Sequence, residues 1–412
     1  MKNFDIPVQY RSPIISKIKE LRKINDRTKK DFTPTVLDFG KIKFSIARHF
    51  GFCYGVENAI EIVYNTIQNN LDKRIFLLSE MIHNPLVNDD LLQQGVRFIM
   101  DTHGKQLIPW SEINNDDIVV IPAFGTTVEI ETLLNKKGIA IEKYNTTCPF
   151  VEKVWKKSVK LSEDDCTIVI HGKYDHEETR ATFSHSSTTG KAIIVQNITE
   201  TKTLAAYIKG EINDDDFEAL FHNRYSKGFD PKKDLQKIGV VNQTTMLATD
   251  TQEIADYLLQ TMIFKYGKEQ SSEHFADTRD TLCYATSDNQ NAVYGMLNNH
   301  EADLAIVVGG YNSSNTSHLV ELCEKEITSY HISSAEKIIS KDEISHYKFR
   351  TKEELLTPHF LPQKENTHVL ITSGASCPDA TVDEIIQKIA AYYLNENELL
   401  NSIANISETY TA

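Results

Sequence analysis

The stretch GFCYGVENAIEIV, residues 51–63, places a short turn carrying a cysteine directly before a helical pattern. Apolar residues recur there at the spacing of one helix face, namely Val56, Ala59, Ile60 and Val63. The same design returns in NTTCPFVEKVWKKSV from Asn145 and in DTLCYATSDNQNAVYGML from Asp280. The three cysteines are Cys53, Cys148 and Cys283. Each therefore precedes a predicted helix N-terminus, where free N–H groups and the helix dipole stabilise a thiolate.

Two further sets of loops follow the cysteines, each joining an apolar strand to a helical pattern. The second set lies 30, 28 and 31 residues after the respective cysteine, at His83, His176 and Ser314. The third set lies 71, 96 and 93 residues after it, at Phe124, Thr244 and Ser376. Strand–loop–helix units are typical of α/β proteins, whose ligands bind at the carboxyl ends of parallel strands. We therefore expect three similar α/β units in a pseudo-threefold trefoil, with the cysteines around a central cluster.

The predicted organisation is an N-terminal arm, three α/β units and a C-terminal tail. Their boundaries are 1–42, 43–147, 148–279, 280–390 and 391–412. Within the arm, residues 14–30 read as a basic, solvated helix packed on the main body. The later two α/β units carry extra polar segments, near residues 209–237 and 333–367.

The amino-acid composition argues against several classes of function. The 412 residues carry a net charge of −14, which argues against nucleic-acid or membrane-surface binding. No apolar run is long enough for a transmembrane helix, and the N-terminus lacks an apolar signal segment, so we expect a cytoplasmic protein. The six cysteines form no CxxC pair, and in a reducing compartment disulfides are not expected.

Three converging thiolates suit either of two metal sites. A cubane iron–sulfur cluster is usually held by four cysteines, so three leave one iron open to a substrate oxygen. A three-cysteine zinc site with bound water is the competing chemistry. Spacing alone leaves both open.

The remaining loops offer anion-binding groups. Ser313, Ser314 and Asn315 follow a double glycine, and Ser376 closes the sequence SGAS. Hydroxyls, amides and helix N-terminal N–H groups in such turns hold phosphates, although either motif alone more often caps a helix. His83 and His176 can add charged hydrogen bonds to the same anion.

Glu178 and Thr244 are the candidate catalytic pair. A carboxyl beside a cluster and an anionic ligand has a raised pKa and can donate a proton, and Thr244 can hydrogen-bond a substrate hydroxyl. The alternative is that Glu178 is an ordinary first-turn acid and that Thr244 caps a helix.

Eight motifs together resemble the 4-hydroxy-3-methylbut-2-enyl diphosphate (HMBPP) reductases, over residues 44–389. In order they are GFCYGV, EMIHNPLVND, TTCPFVEKVW, HGKYDHEET, NQTTM, DTLCYATSDNQ, NSSNTSHL and SGASCPD. The resemblance implies the trefoil fold and a two-electron, two-proton reductive dehydroxylation of HMBPP to isopentenyl and dimethylallyl diphosphate. This reaction is the last step of the non-mevalonate isoprenoid pathway.

The resemblance also implies roles for individual residues. The ligands of a 4Fe–4S cluster with one iron open to substrate would be Cys53, Cys148 and Cys283. The diphosphate would be held by His83, His176, Ser313, Ser314, Asn315 and Ser376. Glu178 and Thr244 would contact the substrate hydroxyl, with Glu178 as the proton source.

One position departs from many bacterial members. Phe124, in PAFGTT, stands where those members carry a histidine, which resembles the cyanobacterial and plastid subgroup. An imidazole donor is lost there, and the sequence identifies no replacement.

No motif encodes the electron donor, which by resemblance is a ferredoxin or flavodoxin. The lysines of one helical face could dock it, namely Lys153, Lys156, Lys157 and Lys160, although a solvated face explains them equally well. Two other classes fit the loops: a zinc-dependent hydrolase with Glu178 as base, and a non-catalytic cluster or anion sensor.

Overall fold

A computed structural model describes residues 4–276, 281–298, 301–364 and 366–409, side chains beyond residue 402 excepted. The predicted boundary at 279/280, with Asp280 of the third cysteine motif, lies outside the described residues. The helices are α1 Pro13–Asn25, α2 Tyr54–Asn69, α3 Pro85–Gln93, α4 Val128–Lys136, α5 Pro149–Glu163, α6 Glu177–Thr189, α7 Ile198–Lys209, α8 Asp214–Phe221, α9 Pro231–Asp234, α10 Ala248–Tyr266, α11 Ser271–His274, α12 Tyr284–Leu297, α13 Ser314–Glu324, α14 Asp379–Ala390 and α15 Glu396–Thr409.

Strands alternate with these helices along most of the chain. They are β1 Thr35–Asp38, β2 Ile42–Ile46, β3 Ile75–Leu77, β4 Arg97–Phe98, β5 Ile118–Val120, β6 Thr167–His171, β7 Ala192–Val195, β8 Ile238–Asn242, β9 Phe275–Ala276, β10 Leu304–Val308, β11 Ser329–Ile332, β12 Glu343–Lys348, β13 Glu353–Pro358 and β14 Thr367–Ser373. Within the described part of the chain, no helix is both long and apolar enough to cross a membrane.

Contacts divide the chain into two compact units. Unit 1 comprises Met1–Glu57, His83–Asp89 and Tyr284–Ala412, and unit 2 comprises Asn58–Ile82 and Asp90–Cys283. This division neither follows nor excludes the five predicted segments, whose boundaries stay a prediction.

Unit 1 is built on a five-stranded sheet in the order β1-β2-β14-β10-β11. The pairs β2–β14, β14–β10 and β10–β11 are parallel, and only β1 joins antiparallel, at the edge. The central strands β10 and β14 are almost entirely buried, and β10 (LAIVV) is wholly apolar, as expected for parallel strands covered on both faces. The structure thus pairs β2, which the sequence places at the start of the first α/β unit, with β14 of the third.

Helices α1 and α14 pack together in unit 1. Ile15 is fully buried and Ile18 is 3% exposed, within the same hydrophobic cluster as Ile385 and Ile389. Ser12 caps α1 and donates a hydrogen bond to Asp383 of α14 at 2.7 Å. The helix thus packs on the main body as expected, but one face of α1 belongs to the core of unit 1 and is not solvated.

Unit 2 contains two parallel sheets, in the orders β4-β3-β5 and β7-β6-β8-β9. The second sheet packs against an aromatic cluster that includes Phe217, Phe221 and Phe229. These rings come from the segment predicted as a polar insertion, so that segment supplies core as well as surface. The α/β class with parallel sheets is confirmed, and a threefold arrangement of units stays a prediction.

Candidate active site

Each predicted ligand cysteine precedes a helix directly. Cys148 is the N-cap of α5, while α2 and α12 begin at Tyr54 and Tyr284, the residues after Cys53 and Cys283. None of the six cysteines forms a disulfide. Burial raises the pKa of the Cys53 thiol, and hydrogen bonds from the backbone N–H groups of Val56 and Gly55 act in the opposite direction. These N–H groups are placed to stabilise a thiolate when a metal compensates its burial.

The anion-binding loops of unit 1 follow two neighbouring strands. Strand β10 ends at Val308 and β14 at Ser373, and these two residues are partners in the parallel register. The loops that follow, 309–313 and 374–378, therefore emerge side by side at the carboxyl edge of the sheet. The sequence motifs NSSNTSHL and SGASCPD are brought together by this pairing.

Hydrogen bonds join these loops to the residues around His83. Asn315 Oδ1 accepts from the backbone N–H of Ala375 at 3.0 Å. Ser376 Oγ donates to the carbonyl of His83 at 3.2 Å, and Asn84 Nδ2 donates to the carbonyl of Ser376 at 2.9 Å. The structure thus brings together the predicted residues of unit 1, with Asn84 as a link that sequence reasoning missed.

Cys53 is attached to the same group. Its backbone N–H donates to the carbonyl of Ala375 at 3.1 Å. The first cysteine turn and the SGAS loop are therefore neighbours within unit 1, although more than 300 residues separate them in the chain. This contact supports a common site for the thiol and the anion loops.

Two buried donors in this group point to a ligand. Ser314 and Asn315 are 2% and 4% exposed, and neither Ser314 Oγ nor Asn315 Nδ2 has a hydrogen-bond partner among the described residues. A buried donor left unsatisfied costs about 1–3 kcal/mol, so acceptor oxygens of a ligand would remove a penalty. Ser313 differs, because its Oγ accepts the N–H of Thr316 and caps α13, the commoner use considered for this motif.

The double glycine before this loop has a steric cause. A Cβ on Gly310 would lie 2.3 Å from the carbonyl oxygen of His83, far inside van der Waals contact. The backbone of the loop thus approaches the His83 segment more closely than any side chain would allow.

In unit 2, Glu178 and Thr244 are direct partners. Glu178 is 1% exposed, in the first turn of α6. Its Oε1 accepts the backbone N–H of Thr244, and its Oε2 accepts the Thr244 hydroxyl at 3.0 Å. The carbonyl of Thr244 in turn accepts the N–H of Cys283 at 3.3 Å. The predicted catalytic pair is therefore contiguous with one predicted cluster ligand, and the raised pKa expected for Glu178 stays a prediction.

His176 caps α6, and Phe124 packs on it. Nδ1 of His176 accepts the N–H of Glu178 at 3.2 Å, which leaves Nε2 to carry the proton of the neutral ring. The rings of Phe124 and His176 meet edge to face, with centroids 5.7 Å apart. The backbone N–H of Cys148 donates to Ala123, the residue before Phe124, at 2.9 Å. Phe124 thus makes an aromatic contact, in place of a hydrogen bond, with His176, a residue predicted to bind the diphosphate.

Two supporting residues were missed from the sequence. Gln243, fully buried, accepts from Thr179 and donates to Thr245, and so orders the NQTTM loop. His185 stacks on Trp155 and donates to the carbonyl of Thr126. Gln243 lies inside a motif that the sequence marked, whereas nothing local marks His185.

The predicted site residues fall into both compact units. Unit 1 holds Cys53, His83, Ser313, Ser314, Asn315 and Ser376, and unit 2 holds Cys148, His176, Glu178, Thr244 and Cys283. Across the part of the chain that the structure describes, no group of three or more His, Cys, Asp or Glu side chains is arranged to hold a metal ion. The meeting of the three cysteines stays a prediction.

Comparisons with known proteins agree with the motifs. Residues 44–390 match a family model described as LytB protein. A relative from Prochlorococcus marinus, named 4-hydroxy-3-methylbut-2-enyl diphosphate reductase, is 39% identical and covers 94% of each chain. One of the same name from Trichodesmium erythraeum is 40% identical over 93% of this chain and 90% of its own.

Two solved structures share the fold. One, described as (E)-4-hydroxy-3-methyl-but-2-enyl diphosphate reductase, the terminal enzyme of the non-mevalonate pathway, has a TM-score of 0.51 at 24% identity and covers 84% of this chain and 98% of its own. The other, a reductase from Plasmodium falciparum, has a TM-score of 0.60 at 21% identity and covers 84% of this chain and 87% of its own. At these identities the likeness concerns the fold alone.

Proposed function

The chain belongs to the LytB family, and we propose that it is a reductase of HMBPP. The relatives that bear this activity in their names are about 40% identical over most of both chains. The observation that carries the proposal is a pair of buried donors, Ser314 Oγ and Asn315 Nδ2, that have no partner among the described residues and lie beside His83 and Ser376. A diphosphate supplies the acceptor oxygens that such donors require.

The reaction removes the allylic hydroxyl of HMBPP. Two electrons and two protons enter, the C4–O bond breaks, and the hydroxyl leaves as water. The second proton goes to carbon, which gives isopentenyl or dimethylallyl diphosphate. The diphosphate is unchanged, so the chain must hold it firmly while chemistry occurs at the other end of the substrate.

Cys53, Cys148 and Cys283 would hold a 4Fe–4S cluster. Thiolates are the ligands such clusters prefer, and each cysteine here begins a helix, where N–H groups favour the anionic form. Such a cluster would supply the electrons of the reduction and a Lewis-acidic iron that the protein does not ligate. The three cysteines are therefore chemically suitable ligands for a 4Fe–4S cluster.

Glu178 would supply protons to the leaving hydroxyl. Thr244 holds both carboxyl oxygens, one through its backbone and one through its hydroxyl, so the carboxyl has one orientation. Since the Thr244 hydroxyl both donates and accepts, it can link a substrate hydroxyl to Glu178. Burial of the pair excludes water, which strengthens these contacts and limits side reactions.

The electron donor would be a ferredoxin or flavodoxin. The lysine face predicted on α5 is exposed at Lys153, Lys156 and Lys160, and Lys156 pairs with Glu152 at 3.4 Å.

One anaerobic assay tests the function. The protein is mixed with reduced methyl viologen and HMBPP, and the dye and the products are quantified. We expect dye oxidation that depends on HMBPP, with isopentenyl and dimethylallyl diphosphate as products. Release of phosphate without dye oxidation would indicate a hydrolase, and binding of HMBPP without turnover would indicate a sensor; either result contradicts the proposal.

A further inference from the structure

A strongly basic segment stands out on this acidic chain. Residues 11–30, here called the basic arm segment, contain eight basic and two acidic residues, a local charge of +6 on a chain of −14. Such a concentration creates a local potential that attracts acidic partners and is screened by salt. The proposed reaction does not use these residues.

The structure fixes the basic arm segment on unit 1. Helix α1 buries Ile15 and Ile18 against α14. Farther along, the chain passes so close to α12 that a Cβ on Gly295 would lie 2.2 Å from the carbonyl oxygen of Phe32. The charges are therefore carried by an element anchored at both ends, which suits a surface for a specific partner.

A cavity of about 310 Å³ lies between this segment and the first cysteine turn. Four cationic side chains line it, namely Lys19, Lys23, Lys29 and Arg48. The other lining residues include Phe52, Cys53 and Tyr54, together with two acids, Glu57 and Asp288. Cationic side chains therefore line the same cavity as Cys53, a predicted cluster ligand.

Arg48 is the buried member of these four cations. It is 7% exposed, lies 3.8 Å from Asp26, and donates to the carbonyl of Arg22 at 3.2 Å. Its Nε has no hydrogen-bond partner among the described residues. Burial lowers the pKa of His49 to about 4, and the positive charges of Arg48 and Lys29 act in the same direction.

The lysine face of α5 is the weaker candidate for a docking surface. Residues 149–165 contain four lysines and four acids, so this stretch has no net charge. The basic arm segment has +6 over a similar length. Long-range attraction depends on net charge, so the arm exerts the stronger attraction.

From these observations, and resting on the proposed function, we propose that the basic arm segment and its cavity dock a small acidic protein that carries one electron. Each docked carrier is oxidised by one electron, so two docking events serve each HMBPP, while two protons enter and water leaves. A membrane is disfavoured because the apolar face of α1 is already buried. Nucleic acid is disfavoured by the overall charge of −14.

Affinity provides a test that does not depend on turnover. Binding of a plant-type [2Fe–2S] ferredoxin to the cluster-loaded full-length protein is measured by calorimetry at 20 mM and 200 mM salt. The variant is Lys23→Glu/Arg27→Glu/Lys30→Glu, whose positions are exposed. The matched control is Lys153→Glu/Lys156→Glu/Lys160→Glu on α5. Thermal unfolding and iron content establish that both variants are folded and loaded.

We expect the arm variant to bind at least about tenfold more weakly at low salt, with a smaller salt dependence, and the α5 variant to stay within about twofold of wild type. Equal binding by wild type and arm variant would overturn the proposal, as would a larger loss in the α5 variant. Tighter binding of duplex DNA or anionic vesicles than of ferredoxin would also overturn it. Viologen-driven turnover of the wild type, measured in parallel, fails only if the proposed reaction itself is wrong.

Discussion

Glu178 illustrates how much of a site one residue can determine. The sequence places it two residues after His176, and the structure buries it with both carboxyl oxygens bonded to Thr244. Its neighbour Glu177 shares the same helical turn and is also buried. The two acids are therefore distinguishable by variants that differ by one position.

Replacing Glu178→Gln removes the proton source and keeps the shape of the side chain. We expect kcat with reduced viologen to fall about 10²–10⁴-fold, since this is the usual contribution of general acid–base catalysis, with little change in KM. The control Glu177→Gln should stay within about twofold. If Glu178→Gln keeps kcat within a few-fold of wild type, Glu178 is not the proton source.

Gly310→Ala tests how the His83 segment is positioned. The added Cβ would meet the carbonyl of His83 at 2.3 Å, and because backbone cannot yield as a side chain does, this segment must shift. We expect KM for HMBPP to rise by about tenfold or more, with a loss of stability of about 1–3 kcal/mol. In the control, Gly239→Ala, the Cβ meets the Leu161 side chain at 3.1 Å and should leave KM unchanged. An unchanged KM for Gly310→Ala would contradict a substrate role for this segment.

At the scale of helices and strands, the sequence predicted the features that residues within a few positions of one another determine. The three cysteines precede helices as expected, because apolar spacing and the turn residues before it act within a few positions. The pairing of β2 with β14 could not be predicted in this way, since it joins residues more than 300 positions apart. The same limit explains α1: Ile15 and Ile18 look isolated in the sequence, and only the position of α14 makes them core.

Strand β11 carries a buried histidine, His331, from which we expect a loss of stability in acid. Nε2 of His331 donates to the carbonyl of Gly309 at 3.1 Å, and Nδ1 has no partner in the described residues. Burial lowers the pKa of His331 to about 4. Because the folded pKa lies below that of the unfolded chain, near 6.5, stability is fully present above pH 6.5 and is lost as the pH falls toward 4.

Denaturant unfolding at pH 7 and pH 5 measures this effect. We expect the loss of unfolding free energy between these pH values to be smaller in His331→Gln than in wild type, by on the order of 2 kcal/mol. Glutamine keeps a donor for Gly309 and cannot be protonated. An identical pH dependence in both proteins would show that His331 already takes up its proton in the folded state.

On the scale of the whole molecule, charge and site are unevenly distributed. The chain is acidic overall, yet it concentrates cations in its first 30 residues, next to the turn of Cys53. The predicted site residues belong to two compact units, with Cys53 in one and Cys148 and Cys283 in the other. The repeated spacing of the cysteines predicted one shared metal centre, but spacing gives only their order along the chain. The metal and sulfide content of the protein tests whether they hold a cluster.

The most direct measurement is the metal and sulfide content of the anaerobically purified protein. If the three cysteines hold a 4Fe–4S cluster, the protein is brown and contains about four iron and four sulfide ions per chain. Colourless protein with one zinc ion per chain and no sulfide would contradict the reductase proposal and favour the zinc hydrolase.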